Sequence, residues 1–241
     1  MKAALLLALA LLAPQDPQDP QEDARRSGFE TMSPALQAMQ RDDATNPAWL
    51  WVENGRALWR ERGCVRCHGE AEQSMRGVAA RYPAWDGRLQ RPLTLAQRIQ
   101  HEGPVLAADS EELLSLAAYV GLQSRGLPIA PPADVRLDPH RKRGRALFEK
   151  RVGQLNLSCA QCHDQRAGEK LGGALIPQAH PTGYPLYRLE WQSLGSLTRR
   201  LRNCTAGVRA EPFDDSALVD LELYLMERAA GMKIDTPAVR P

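Results

Sequence analysis

The chain has 241 residues, 43% of them hydrophobic, and its 31 basic and 29 acidic side chains leave a net charge of +2. So even a balance excludes the global positive field that binding to nucleic acid or an anionic membrane needs, and leaves electrostatic recognition to local clusters. Three Phe, five Tyr and little period-2 alternation of β-branched residues argue against a sheet protein, so helices should dominate.

In chain order, Lys2 precedes an apolar run from Ala3 to Ala13 that Pro14 and the polar repeat QDPQDPQ end abruptly. The run is about half as long as a bilayer span and reads as a secretory signal peptide, the rival reading being an uncleaved amphipathic or buried segment. No other segment is apolar enough to span a membrane, so the mature chain is expected in an oxidising exported compartment, best matched by a bacterial periplasm. Residues 14–44, rich in Gln, Asp, Pro and Arg, are expected to form a mobile or draped extension without a fold of its own.

A helix is expected over NGRALWRER, Asn54 to Arg62, delivering Cys64. RGRALFEKR, Arg143 to Arg151, repeats the GRAL tetrapeptide and runs on to Cys159. The closing segments match as well. DSEELLSLAAYVGLQSRG (Asp109 to Gly126) and DDSALVDLELYLMERAAG (Asp214 to Gly231) each open on capping residues, space leucines at helical intervals and stop at glycine. Each half therefore reads helix, cysteine motif, loop, middle helix, closing helix. The four prolines of LPIAPPADVRLDPH, Leu127 to His140, favour an extended connector, and the domain boundary falls there. His140 and His180 read as linker and loop residues.

The motifs at Cys64, Cys67, His68 and at Cys159, Cys162, His163 are two copies of CXXCH, the c-type haem attachment sequence. Two thiols three residues apart can add to the two haem vinyl groups while the adjacent imidazole ligates iron. Structural disulfides, a zinc site and a thioredoxin-like dithiol fit less well, because each copy follows an equivalent helix and no βαβ pattern surrounds either. The chain is thus expected to be an exported c-type cytochrome with two covalently bound haem c groups.

Those motifs use four of the five cysteines and leave Cys204. Leu197, Leu201 and Cys204 fall on one helical face, with Arg200 four residues before the thiol and Arg199, Arg202 and Arg209 nearby. Cations beside a thiol favour the nucleophilic, metal-binding thiolate, and guanidinium forks suit an oxyanion such as thiosulfate. The plainer reading is a cysteine packed beside leucines with arginines facing solvent.

The stretch IPQAHPTGYPLYRLEWQSLGSLTRRLRNCTAGVRAEP (Ile176 to Pro212) resembles the SoxA family, the cytochrome subunit of the periplasmic sulfur-oxidising system. SMRGVAARYPAWDG (Ser74 to Gly87), LLSLAAYVGLQSRGLPI and the ending LELYLMERAAGMKIDTPAVRP carry the same resemblance, which runs from about Asn46 onward. It implies an all-α fold of two cytochrome c domains related by pseudo-twofold symmetry, with an N-terminal extension and long loops. The expected layout is a signal peptide at 1–13, an extended segment at 14–44, a first cytochrome c domain at 45–131 and a second, catalytic one at 132–241.

The resemblance further implies that Cys204 is the distal ligand of the second haem and the catalytic sulfur, found as a persulfide, and that Arg200 binds substrate. Arg228 resembles a second active-site arginine, against the plainer reading of a basic residue at a helix C-terminus. The chain departs from the family where two-haem members carry a cysteine ligand to the first haem: here the segment reads RIQHEGP, Arg98 to Pro104. Glu102 occupies that register and His101 is adjacent. Imidazole being the commoner iron ligand, His101 is the expected sixth ligand, against Met75 or an open iron.

The activity so implied is that of an L-cysteine S-thiosulfotransferase. Thiosulfate is coupled oxidatively to a cysteine of the SoxYZ carrier, with electrons passed through haem to SoxX, the partner cytochrome of a heterodimer. A dihaem thiosulfate dehydrogenase forming tetrathionate, or a plain electron-transfer cytochrome, are the alternatives. No membrane or nucleic-acid partner is expected.

Overall fold

The computed structural model describes residues 23–103 and 105–241, so the expected signal peptide at 1–13 lies outside the described residues. Helices α1 (Pro34–Arg41), α2 (Trp49–Glu61), α3 (Cys64–His68) and α4 (Ala71–Ser74) come first. They are followed by strands β1 (Ala84–Asp86) and β2 (Arg91–Leu93) and by helices α5 (Leu95–Glu102) and α6 (Glu111–Leu122). The second half holds α7 (Asp138–Glu149), α8 (Cys159–His163), strands β3 (Lys170–Leu171), β4 (Ala174–Leu175), β5 (Leu186–Arg188) and β6 (Ser193–Gly195), helices α9 (Leu197–Gly207) and α10 (Asp215–Arg228), and strand β7 (Ala238–Arg240). The chain is predominantly α, as expected, and no helix among the described residues is long and apolar enough to cross a membrane.

The repeated GRAL tetrapeptide has a packing cause. Helix α2 lies against α6, and α7 against α10, in the two most extensive helix contacts among the described residues. A Cβ on Gly55 would stand 2.1 Å from the Ser115 carbonyl oxygen, and one on Gly144 would stand 2.0 Å from that of Asp220. Only glycine lets the two backbones approach so closely. Tyr119 and Tyr224 are the next neighbours of these two glycines, so positions 115 and 220, and 119 and 224, are equivalent in the two halves. The cores repeat the match: Val52, Leu58, Trp59, Leu113, Leu116 and Tyr119 in the first, Phe148, Leu218, Leu221 and Leu225 in the second.

Short hairpins, not foreseen from the sequence, enter the middle helices. β1 pairs with β2 from Ala84↔Leu93 to Asp86↔Arg91, and β5 pairs with β6 from Leu186↔Gly195 to Arg188↔Ser193. Each return strand runs straight into a capped helix. The Thr94 hydroxyl accepts from the Gln97 N–H in a capping box on α5, and the Ser196 hydroxyl accepts from the Arg199 N–H on α9. β7 extends the second hairpin as a parallel strand on β5.

Within residues 23–44 of the N-terminal segment, expected to lack a fold of its own, a helix forms. Ser33 caps α1, and Gln40 at the far end of that helix is buried, its Oε1 accepting from the Val239 N–H and from Arg240 of β7. Upstream, Arg25 donates to the carbonyls of Arg228 and Ala230. The connector is extended yet packed: Ile129 is buried, its N–H donates to Met232, and Ala130 donates to Ala80 of the first half. His140 is no linker residue. Its Nδ1 lies 2.5 Å from a carboxylate oxygen of buried Asp220, whose other oxygen accepts from Arg143 at 2.7 Å, so it helps lock α7 to α10.

Candidate haem and thiol sites

Both CXXCH segments form single helical turns, but they are held differently. Ser158 caps α8 in a capping box with Gln161, whereas Gly63, in a left-handed conformation at φ 76°, precedes α3 without a side-chain cap. In the first half, Cys64, Cys67 and His68 line a cavity of about 220 Å³ whose walls include Val78, Leu95, Leu116 and Val120. Trp59 closes it on the His68 side, with ring centroids 5.7 Å apart, and its indole N–H donates to the Gly69 carbonyl. Thiols, an imidazole and apolar walls around one cavity fit a covalently held haem.

In the second half, Cys159 and Ala160 pack against the cluster of Phe148, Leu197, Leu201, Leu218, Leu221 and Leu225. Burial pushes the Cys159 thiol up to about 11, with Cys204 adding to the rise, so it stays a neutral thiol. His163 donates from Nδ1 to the Pro177 carbonyl at 2.7 Å, which leaves Nε2 as the acceptor atom. Burial holds this imidazole below its usual basicity, with Arg200 and Arg228 acting in the same sense. A neutral imidazole with an oriented Nε2 is the ligand a haem iron requires, and no set of three metal-binding side chains of the zinc type occurs among the described residues. The Pro177 partner was not foreseen: it stands fourteen residues after His163, and only the fold brings its carbonyl to the ring.

Helix α9 presents the remaining thiol. Leu197 and Leu201 are buried and Cys204 is half-buried on the same face. Arg200, one turn before Cys204, forms a loose ion pair with Glu190 at 4.0 Å, its sole carboxylate partner among the described residues. The neighbouring cations are engaged elsewhere: Arg199 stacks on Trp191 at 4.2 Å from the ring centroid, and Arg202 pairs with Asp215 at 2.7 Å. Tyr184, not anticipated as a site residue, completes the group. Burial pushes its phenol up to about 12, opposed by Arg200 and Arg188 and reinforced by Cys204. The tyrosine therefore remains protonated, a hydroxyl beside a thiol and a guanidinium.

Two expected site residues, His101 and Arg228, are held by other partners. His101 is exposed, with Nε2 3.4 Å from Arg91, and is not among the cavity-lining residues, whereas Leu95, Arg98, Ile99 and Glu102 of the same helix are. The helical period explains this. Those four positions fall within about 100° around the helix axis, and 101 falls outside that arc. Met75 does line the cavity, half-buried against the first core. Arg228 ends α10 and pairs with Asp164 at 2.6 Å, stacking 4.6 Å from the Phe148 centroid and donating to the Gln178 carbonyl. It reaches the site through the residue after His163 rather than through Cys204.

The family described as SoxA/TsdA, cytochrome c domain, matches residues 54–129 and 143–234, one segment for each structural repeat. The L-cysteine S-thiosulfotransferase subunit SoxA of Pseudaminobacter salicylatoxidans is 32% identical over 234 residues, covering 90% of this chain and 82% of that protein. The subunit of the same name from Rhodovulum sulfidophilum is 30% identical over 232 residues, with 90% and 81% covered. The crystal structure of SoxXA from P. pantotrophus superposes with a TM-score of 0.85 at 26% identity, over 90% of this chain and 87% of that one. With the cytochrome c domain comes haem c as cofactor. On the repeated helix pairs, the paired CXXCH turns and these similarities, the chain belongs to the SoxA/TsdA cytochrome c family, on its SoxA side.

Proposed function

We propose that the protein is the SoxA-type subunit of a periplasmic L-cysteine S-thiosulfotransferase, with haem c held at two sites. Cys64, Cys67 and His68 would hold one haem and Cys159, Cys162 and His163 the other, with Cys204 as distal ligand of the second. The observation that carries the reading is the juxtaposition on α9 of a half-buried thiol, Cys204, with Arg200 one turn away, both facing Tyr184 and the second CXXCH segment.

Arg200 provides a charge-assisted anchor for the sulfonate end of thiosulfate. Tyr184 is a neutral donor at the same place. Haem c, when bound through Cys159, Cys162 and His163, would supply a one-electron acceptor. The overall change couples a carrier thiol and thiosulfate into a thiocysteine S-sulfonate: one S–S bond forms, the thiol S–H bond breaks, and one proton and two electrons are released. The electrons go to a partner cytochrome of the SoxX type and the product stays on a SoxYZ-type carrier.

The test is thiosulfate-dependent reduction of an acceptor cytochrome by the purified heterodimer, with and without carrier. Carrier-dependent turnover that falls about a thousandfold or more in Cys204→Ala is the expected result. Turnover without carrier, yielding tetrathionate, would assign a thiosulfate dehydrogenase instead. No turnover would leave an electron-transfer protein.

A further inference from the structure

The internal repeat makes a statement about the first haem site that the motifs alone do not. Counted from their caps Thr94 and Ser196, Arg98 and Arg200 are the fourth helical residues of α5 and α9, and Glu102 and Cys204 the eighth. Both helices follow hairpins of the same register and pack under equivalent closing helices. Glu102 lines the same cavity as Cys64, Cys67 and His68. Its carboxylate is ion-paired to Arg98 at 2.9 Å, and Arg98 is anchored in turn to buried Asp86 at 2.6 Å. The imidazole of His101 points away to Arg91.

We propose that the Glu102 carboxylate, steered by Arg98, is the distal oxygen donor at the first haem, in the place where the second half puts the Cys204 thiol. This rests on the reading that both CXXCH segments carry haem. An oxygen donor shared with a guanidinium is a weak-field ligand, so the first iron is high-spin when ferric and its sixth position exchanges. The Glu102 side chain is 47% exposed, which gives solvent and small anions access to that position. The first site is therefore a binding site for small exogenous ligands such as cyanide, and the second is closed by sulfur.

The experiment uses the full chain carrying its haems, whose number per chain is counted first by intact mass. A single haem, at the second motif, would overturn the two-haem reading itself. With two haems, the ferric EPR spectrum should contain one high-spin component that cyanide converts to low-spin. Glu102→Cys should convert that component to a thiolate-type low-spin signal without added ligand, and Glu102→Gln should shorten the half-time of cyanide capture several-fold. A bis-imidazole low-spin signal lost in His101→Ala, or a thioether-ligated one lost in Met75→Leu, would overturn the proposal. So would a high-spin signal and cyanide kinetics unmoved by both Glu102 substitutions.

Discussion

The two halves of this protein share a scaffold down to the glycine that lets the first helix of each cross the last, yet their middle helices end in different chemistry. In the first half the eighth residue of α5 is a carboxylate neutralised by Arg98, and Arg98 itself is fixed by Asp86. In the second half the eighth residue of α9 is a thiol, and among the described residues Arg200 meets a carboxylate no closer than 4.0 Å. A cation already paired twice orders a structure, whereas a loosely paired one is free to receive an anionic substrate. A duplicated fold thus specialises by changing which charges are satisfied internally.

Arg200→Ala tests this most severely. It should lower kcat/KM for thiosulfate by about a hundredfold, with much of the loss in KM, because a positioned oxyanion donor is removed. Equal losses in Arg98→Ala and Arg200→Ala would break the distinction between the halves.

The shared scaffold predicts equal sensitivity at its two crossings. Gly55→Ala and Gly144→Ala should each destabilise by about 2–3 kcal/mol in denaturant unfolding, since the added methyl meets a backbone carbonyl that cannot move aside. A large effect at only one site would mean that the crossings are not equivalent.

A smaller effect separates the closing helices. By the equivalence of 115 with 220, Glu222 occupies the place of Ala117 and lines a cavity with Thr182 and Thr236, whose buried hydroxyls have no partner among the described residues. Burial pushes its carboxyl from 4.5 up to about 7. A carboxyl raised above its unfolded value stabilises the fold fully below that value, and the contribution is lost as pH rises through the folded one. Wild type should therefore lose stability relative to Glu222→Gln between about pH 4.5 and 7, by about 2 kcal/mol at pH 8, with no difference at pH 4. Denaturant midpoints of both proteins across this range check it.

Smallest is the difference between the two CXXCH turns. Ser158→Ala should cost about 1 kcal/mol through loss of the capping box, read as faster hydrogen exchange over residues 158–164. The Gly63 turn has no side-chain cap to lose.

Much of this was legible in the chain itself. Covalent spacing alone identifies CXXCH, helical spacing sets Arg200 beside Cys204, and the GRAL repeat with its matching closing segments announces the duplication. These are local properties, readable within one turn or one repeat. The hairpins were missed because their strands are three residues long, too short for an alternation signal. Helix α1 was missed because its burial depends on β7, about 200 residues away.

The sequence by itself determined the two CXXCH motifs, the duplicated helical order and the odd thiol, since each depends on neighbours along the chain. Only the tertiary structure decided that Pro177 orients His163, that Arg228 serves Asp164, that His140 locks onto Asp220, and that Glu102 rather than His101 faces the first cavity. Those outcomes depend on which carbonyl, carboxylate or helix face another element brings within about 3 Å, and that proximity exists only once distant segments have packed.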